Sequence, residues 1–408
     1  EANASDYEDV EYGRTNAQMA VLRNDQVSSF TTAQITGLKA AQVTALTTAQ
    51  ISNLTTSQMA ALSAVQAAAI ETADLVKLGS DQIQALSNAA VAGLSADQVT
   101  ALTTAQVDKL TAGQMGVLTS TQLSSIETTD LAKLTTAQVN ALTATSVKGF
   151  STTQISKLST DQLQALNTAA VAALTTGQLA ALTTAQASTL TTSQMAALTA
   201  TQVKGLETED LAKMSTAQIS AMAVGTVEAM STAQVAGLTT AQVANLTTSH
   251  IAKLTNLQLA ALTTAQTVGL GTQQVAALTA TQIKGIETAD LVKLSTDQIQ
   301  AINTLAVAAM TTTQVSALTS AQVSALTTAQ SAALTATQVS GAGTTFATNL
   351  TTAAVAGLTN DQTRALTTDQ LVALTTAQAG ALSTSSINAM SVAQVTAIAT
   401  DDFAKLST

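Results

Sequence analysis

An eight-residue unit repeats through almost the whole chain without an insertion or a deletion. From Thr15 to Leu406 the residues fall into 49 consecutive blocks of eight, called octads below and numbered from residues 15–22 onward. Their consensus is T-T-A-Q-V-A-A-L, as in the two octads TTAQISNL and TTSQMAAL of residues 47–62. Position 1 is mostly Thr or Ser, position 4 mostly Gln, and position 5 usually apolar. Position 8 is large and apolar in every octad except the one that ends at Ala342. The fold must therefore repeat every eight residues.

Neither one long helix nor one long strand fits this period. Eight residues turn a helix by about 800°, roughly 80° beyond two full turns, so position 8 would move around the helix and form no stripe. The same drift excludes a coiled coil. In a strand, positions 5 and 8 would point to opposite faces. The chain must change direction within each octad.

The first four positions of the octad match a helix start signal. Thr or Ser followed three residues later by Gln is the capping-box pattern. The Ala, Gln and Leu residues that follow favour about one and a half helical turns, and positions 5 and 8 would then share a face. Gly at position 7, as in Gly37, Gly93, Gly149 and Gly205, predicts an exit from the turn through glycine. Each octad is therefore predicted to form a short capped helix and a corner.

One octad cannot fold alone, so octads must pack on octads. Burying one Leu and one Val contributes about 3–5 kcal/mol, while ordering eight backbone units costs about 8–16 kcal/mol. This predicts an all-α solenoid of short capped helical turns, with Leu and Val along a continuous interior. The alternative is a β-solenoid, which Thr and Val favour but Ala, Gln and Leu do not.

The predicted organisation is a single solenoid between two short flanks. Residues 1–14 form an acidic N-terminal segment, residues 15–406 the solenoid, and residues 407–408 the start of a further octad. The core is expected to be weakened near residues 335–350, where Ala342, Gly343 and Phe346 depart from the pattern.

Related octads also recur at longer intervals. ETADLVKL occurs at 71–78 and 287–294, ETTDLAKL at 127–134 and ETEDLAKM at 207–214, at spacings of 56, 80 and 80 residues. The two spacings differ by three octads, which suggests three octads as one turn of the coil.

The composition argues against most kinds of catalytic and ligand-binding site. The chain has one His, no Cys, 10% charged residues and a net charge of −10, with its Lys and Arg scattered singly. Nucleic-acid binding needs clustered Lys and Arg and is not expected. No run of about 18 apolar residues exists, so membrane insertion is not expected either. Without a catalytic set, a cofactor motif or a metal-spaced cluster, the chain is predicted to be no enzyme and to bind no cofactor.

The few distinctive polar residues fit a structural role. His250 stands at position 4 and is predicted to replace Gln in a cap. Asp residues occupy the same position in other octads, where a carboxylate at a helix N-terminus is favourable; Asp74, Asp130, Asp210 and Asp402 are among them.

The N-terminal segment holds both tyrosines, Tyr7 and Tyr12, which are predicted to take part in assembly. Its acidic residues are weak candidates for a metal site, because they lack the spacing of a calcium loop; they are Asp6, Glu8, Asp9 and Glu11. Glycans are a possible further partner, since glycosylation sequons occur at Asn3, Asn53, Asn245 and Asn349.

The T-T-A-Q-V-A-A-L array resembles the low-complexity Thr/Ala/Gln/Leu arrays of large bacterial surface and secreted proteins, including adhesins and matrix proteins. The resemblance covers nearly the whole chain, is compositional, and transfers no functional residues. It implies an exported structural protein. We therefore expect a non-enzymatic extracellular protein that self-associates into a surface layer or filament through terminal and side contacts. The alternative is an adhesive stalk or an ice-binding solenoid that uses ranks of Thr.

Overall fold

Each octad forms one short helix and one corner. The computed structural model describes residues 15–398 and residue 402. Within them every regular element is helical and none is a strand, so the predicted all-α solenoid is confirmed and the β-solenoid alternative is wrong. Helices of four to seven residues alternate with extended corners along the described chain.

The helices begin at position 2 of nearly every octad. In the first half of the chain the α-helices are Asn16–Ala20, Asn24–Ser28, Thr32–Gly37, Ala40–Thr44, Thr48–Ser52, Thr56–Ala61, Ala64–Ala68, Thr72–Leu75, Ser80–Ala85, Asn88–Gly93, Ala96–Ala101, Thr104–Asp108, Ala112–Gly116, Ser120–Ser124, Thr128–Leu131, Thr136–Asn140, Thr152–Lys157, Thr160–Ala165, Thr168–Ala173, Thr176–Ala180, Thr184–Ala187, Thr192–Ala197 and Thr208–Lys213. In the second half they are Thr216–Ala221, Val224–Glu228, Thr232–Gly237, Thr240–Ala244, Thr248–Lys253, Asn256–Ala260, Thr264–Val268, Thr272–Ala276, Thr288–Leu291, Thr296–Ala301, Thr304–Ala309, Thr312–Ala317, Ser320–Ala325, Thr328–Ala333, Ala336–Gly341, Gly343–Asn349, Thr352–Ala356, Asn360–Ala365, Thr368–Val372, Thr376–Gly380, Thr384–Ala389 and Val392–Ala397. Three octads form 3₁₀ helices instead, at Ser146–Gly149, Gln202–Gly205 and Gln282–Gly285.

Many helices end because positions 8 and 1 are both extended. Leu62, at position 8, has φ −64° and ψ 131°, and its N–H donates to the Met59 carbonyl at 3.3 Å. Ser63, at position 1 of the next octad, has φ −74° and ψ 166° and caps the following helix. Two successive extended residues turn the chain into a new direction and restart it there.

Positions 5 and 8 fill the interior, as the sequence predicts. In the octad 47–54, Ile51 is 1% exposed and Leu54 is 4% exposed. The same two positions are buried in nearly every described octad, while positions 1 to 3 face outward. Every octad therefore adds two apolar side chains to a shared core.

Each turn of the coil holds between three and four octads. Helices three octads apart pack against each other, and the Thr44 hydroxyl donates to the Ala69 carbonyl, 25 residues later, at 3.0 Å. On the other flank, the amide of Gln50 donates to the Leu22 carbonyl, which lies 28 residues earlier, four octads back. The turn is thus longer than the three octads suggested by the recurring ETADL octads. Seven octads, or 56 residues, make about two turns.

The chain divides into two compact units, each built in this way. One comprises Glu1–Met214 and Ala221–Ala223, the other Ser215–Ser220 and Val224–Thr408. The predicted boundaries of a single solenoid over residues 15–406 stay a prediction.

None of the described glycines at position 7 has the positive φ of a glycine exit, so that prediction is wrong; several of them, though not Gly37, serve close packing between turns. Among the described residues only Gly343 has a positive φ, of 79°. A Cβ on Gly93 would lie 2.7 Å from the Ala64 carbonyl oxygen, in the helix three octads earlier. A Cβ on Gly149 would overlap the Ser120 carbonyl in the same way. Glycine is required here because two helix backbones touch.

We therefore expect Gly149→Ala to lower stability by about 1–3 kcal/mol, because the added methyl group forces two turns apart. The matched control is Gly177→Ala, whose Cβ would meet only the Thr175 hydroxyl, at 4.0 Å. That substitution should be neutral or stabilise by about 0.5–1 kcal/mol, since it restricts the unfolded chain. Thermal denaturation followed by circular dichroism compares the two, and equal effects would contradict the close approach.

The irregular octad 343–350 packs differently from its neighbours. Its helix, Gly343–Asn349, lacks a side-chain cap, and Phe346 occupies position 4 with 2% exposure. Ala342 is also buried. The amide of Gln370 donates to the carbonyls of Val339 and Gly343, so a contact with the next turn is kept. Reduced stability near residues 335–350 stays a prediction.

Candidate functional site

Gln at position 4 first completes the cap of its own helix. The Gln50 N–H donates to the Thr47 hydroxyl at 3.3 Å, and the Thr47 N–H donates to Gln50 Oε1 at 2.6 Å. This is the predicted capping box. It recurs in most described octads and uses only the oxygen of the Gln side chain.

The nitrogen of the same side chain joins one turn of the coil to the turn before. Gln50 Nε2 donates to the Met19 carbonyl at 3.0 Å and to the Leu22 carbonyl at 2.7 Å. These acceptors lie at positions 5 and 8 of the octad four places earlier. In the first unit the same pair of bonds is made by Gln58, Gln66, Gln98, Gln106, Gln114, Gln122, Gln138, Gln154, Gln162, Gln178, Gln186, Gln194 and Gln202. In the second unit it is made by Gln258, Gln266, Gln274, Gln282, Gln314, Gln322, Gln330, Gln338, Gln362, Gln378 and Gln394.

We call these position-4 side chains the glutamine ladder. They are buried, yet their amide groups are hydrogen-bonded on both sides, which is the condition for burying a polar group without a large cost. Gln50, for example, is 1% exposed. The ladder satisfies backbone carbonyls at the ends of the earlier helices. It is the main polar structure of the interior and was not predicted from the sequence.

In two of the octads with Ala at position 4, an Asn at position 1 supplies the donor instead. Asn167 Nδ2 donates to the carbonyls of Asn140 and Leu142, both at 2.8 Å, while Ala170 stands at position 4. Asn303 does the same toward Ala276 and Leu278. The two positions therefore compensate for each other.

This compensation predicts a rescue. Asn167→Thr should lower the denaturation midpoint, with a loss of about 1–2 kcal/mol, because the Leu142 carbonyl loses its donor while the cap is kept. Adding Ala170→Gln should restore the midpoint, since the ladder places a Gln at position 4 within reach of Leu142. Ala170→Gln alone tests for crowding, and a double variant no more stable than Asn167→Thr would contradict the exchange.

Asp74, Asp130, Asp210 and Asp290 occupy the first turn of a helix, as predicted, and three of them also bind a neighbouring turn. Asp74, Asp130, Asp210, Asp290 and Asp402 are all buried. Thr at position 2 of the octad three places earlier donates its hydroxyl to Asp Oδ1 in the pairs Thr48–Asp74 (2.5 Å), Thr104–Asp130 (2.5 Å) and Thr264–Asp290 (2.6 Å). A carboxylate can only accept a hydrogen bond. In these octads the later turn therefore accepts from the earlier one, whereas in the glutamine ladder the later turn donates.

His250 performs the predicted capping role. The Thr247 N–H donates to His250 Nδ1 at 3.2 Å, and the His250 N–H donates to the Thr247 hydroxyl at 3.2 Å. The imidazole is 2% exposed. It is held inside the coil as a substitute for Gln.

The predicted assembly and metal candidates lie outside the described residues. They are Asp6, Tyr7, Glu8, Asp9, Glu11 and Tyr12, and the sequon residue Asn3 lies there too. In the part of the chain that the structure describes, no three His, Cys, Asp or Glu side chains are grouped so as to hold a metal ion. No helix within residues 15–398 has the length and apolar character needed to cross a bilayer.

The three described sequons are part of the helix ends. Asn53 Nδ2 donates to the Ala49 carbonyl at 2.7 Å, and Asn245 and Asn349 make the equivalent bond. The Thr of each sequon is the cap of the next helix, as Thr55 is in the first of them. Glycosylation stays a prediction.

A family model described as the ALTTAQ repeat matches six stretches of the chain. They are residues 67–104, 123–160, 155–192, 211–248, 225–256 and 283–320. The chain carries ALTTAQ repeats. No curated protein matches it.

At least four of the six ALTTAQ matches contain both partners of a glutamine-ladder hydrogen bond. The match 67–104 begins at Ala67, whose carbonyl accepts from Gln98 of the same match at 2.9 Å. The matches that begin at residues 123, 155 and 283 contain the equivalent bonds from Gln154, Gln186 and Gln314. Each of these four matches is longer than the roughly 28 residues of one turn, so it contains both partners of a bond between turns, although the sequence unit is the octad.

Proposed function

We propose that this ALTTAQ-repeat protein is a non-enzymatic structural subunit that self-associates into an extracellular layer or filament. The observation that carries the proposal is the glutamine ladder. The distinctive polar side chains serve the coil itself: Gln50 joins one turn to the turn before, and His250 caps its own helix. The outer positions 1 to 3 hold mainly Thr, Ser and Ala, which form a uniform surface with few charged or catalytically useful groups.

Assembly is tested on the purified chain. Light scattering and sedimentation over a range of protein concentrations should show growth beyond the 41.0 kDa monomer, and electron microscopy should show rods, fibres or sheets. A monomer at the highest concentration would overturn the assembly part of the proposal. Surface labelling of the source cells, followed by fractionation, tests the extracellular location.

The helical build disfavours the ice-binding alternative. Packed helices lie about 8–10 Å apart, whereas strands that would present flat Thr ranks lie about 4.8 Å apart. We therefore expect no thermal hysteresis from the purified protein. A measurable hysteresis would contradict this expectation and favour the alternative.

A further inference from the structure

Lys148 and Lys204 lie on the same side of the first unit. They occupy position 6 of octads 143–150 and 199–206, which are seven octads apart. Because the turns are joined at spacings of three and four octads, seven octads bring the chain back to the same side after about two turns. Both lysines are exposed, and each is followed by a glycine at position 7.

Two pairs of octads that lie three and four octads from Lys148 carry no charge. Residues 111–126 lie three and four octads before Lys148, and residues 167–182 lie between the two lysines. None of these residues is Asp, Glu, Lys or Arg. We call residues 111–126, 143–150, 167–182 and 199–206 the lysine face.

The two ammonium groups have no ionic partner in the part of the chain that the structure describes. Its ion pairs are Arg23–Asp25, Lys109–Asp108 and Arg364–Asp361. Glu207 follows the lysine face directly and forms no ion pair with Lys204. The lysine face, as defined by these four ranges, thus carries two cations and no carboxylate on a chain of net charge −10.

We propose that residues 1–14 of a second copy bind the lysine face. The inference rests on the proposed self-association and names the contact that drives it. The segment EANASDYEDVEYGR carries five carboxylates and one Arg, so its side chains have a net charge of −4. It is the most acidic stretch of the chain and the only one with Tyr.

The dimensions of segment and face agree. With helices packed about 8–10 Å apart, two turns separate Lys148 from Lys204 by about 16–20 Å. Asp6 and Glu11 are five residues apart and span about 17 Å when extended. Carboxylates of one segment can therefore reach both lysines at once, while the Tyr rings cross the Ala, Gly and Thr surface between them.

The test measures binding of a fluorescently labelled peptide of residues 1–14 to the full-length protein. Lys148→Glu/Lys204→Glu should weaken binding at least tenfold, and raising the salt concentration from 50 to 500 mM should weaken binding to the unmodified protein. The matched control is Lys77→Glu/Lys133→Glu. These lysines are exposed and lie seven octads apart as well, but Glu71 and Glu127 begin their octads. The control should change the affinity less than twofold, and circular dichroism verifies that both variants keep their helix content.

The outcomes separate this inference from the proposed function. Equal weakening by both pairs of substitutions would show unspecific charge attraction and overturn the inference. Filaments or layers that form unchanged in Lys148→Glu/Lys204→Glu would overturn it as well, while the proposed function would stand. Specific peptide binding without assembly in the microscope would support the contact and overturn the structural role.

Discussion

Removing residues 71–126, seven whole octads, should leave a folded protein, whereas removing only residues 123–126 should unfold the turns around the cut. The long deletion joins Ile70 to Glu127, which replaces Glu71 at an equivalent junction. Each later octad then meets the octads three and four places earlier in the usual register. We expect an unchanged helix signal per residue and a melting temperature within a few degrees of the full chain, as for other repeat arrays.

The long deletion also preserves specific contacts between turns. In the deletion variant Asp130 loses its partner Thr104 and meets Thr48 instead. In the full chain Thr48 binds Asp74 in the same way. Gly149 loses its close neighbour Ser120 and takes the place of Gly93 over Ala64. The contacts are equivalent because seven octads make about two turns.

The short deletion removes half an octad and cannot be accommodated. It deletes Leu123 and Ile126 from the core, a loss of about 3–6 kcal/mol of apolar burial. It also deletes the three carbonyls that accept from Gln154, those of Leu123, Ser124 and Ile126. The four residues left in that octad cannot span one side of the coil. Circular dichroism and limited proteolysis compare the two deletions, and a four-residue deletion as stable as the full chain would contradict the closed-turn geometry.

The local part of the fold could be predicted because its causes lie within eight residues. The cap formed by Thr47 and Gln50, and the burial of Ile51 and Leu54, follow from helix start signals and side-chain spacing. The all-α solenoid followed from the same pattern. The turn length did not, because it depends on how octads 24 to 32 residues apart pack, and every octad carries nearly the same sequence.

The ladder was missed although the sequence contains a signal for it. A capping box accepts Glu as well as Gln, yet no octad has Glu at position 4. Of these two residues only Gln can also donate, so the use of Gln and never Glu indicates a second partner for the side-chain nitrogen. Gly149 was misinterpreted for a similar reason: a glycine needed for close approach between turns looks, in sequence, like a glycine that ends a helix.

Substituting one ladder residue should show how much the second partner contributes. Gln114 is 1% exposed, and its Oε1 accepts from the Thr111 N–H at 2.8 Å. Its Nε2 donates to the carbonyls of Ile83 and Leu86 at 3.0 and 2.8 Å, and to the backbone carbonyl of Gln84 at 3.1 Å. Gln114→Leu fills nearly the same volume but leaves the Thr111 N–H and the Leu86 carbonyl without their partner. Each such group costs about 1–3 kcal/mol, so we expect a loss of about 2–4 kcal/mol in urea denaturation. Gln84→Leu, at an exposed position, should change stability by less than about 0.5 kcal/mol.

Gln114→Glu should destabilise the protein in a pH-dependent way. The introduced carboxyl can still accept from Thr111, but its second oxygen faces carbonyls that need a donor. Burial and these carbonyls disfavour the charged form, so the pKa of the carboxyl should rise in the folded state above its ordinary value of about 4.3. A raised folded-state pKa means that stability is retained below about pH 4.3 and lost as the pH rises through the folded pKa. The deficit relative to the unsubstituted protein should therefore be small at pH 4 and large at pH 7, whereas Gln84→Glu should show little difference between the two. A deficit at Gln114→Glu that does not change with pH would mean that the amide nitrogen contributes nothing as a donor, and the ladder would then be packing alone.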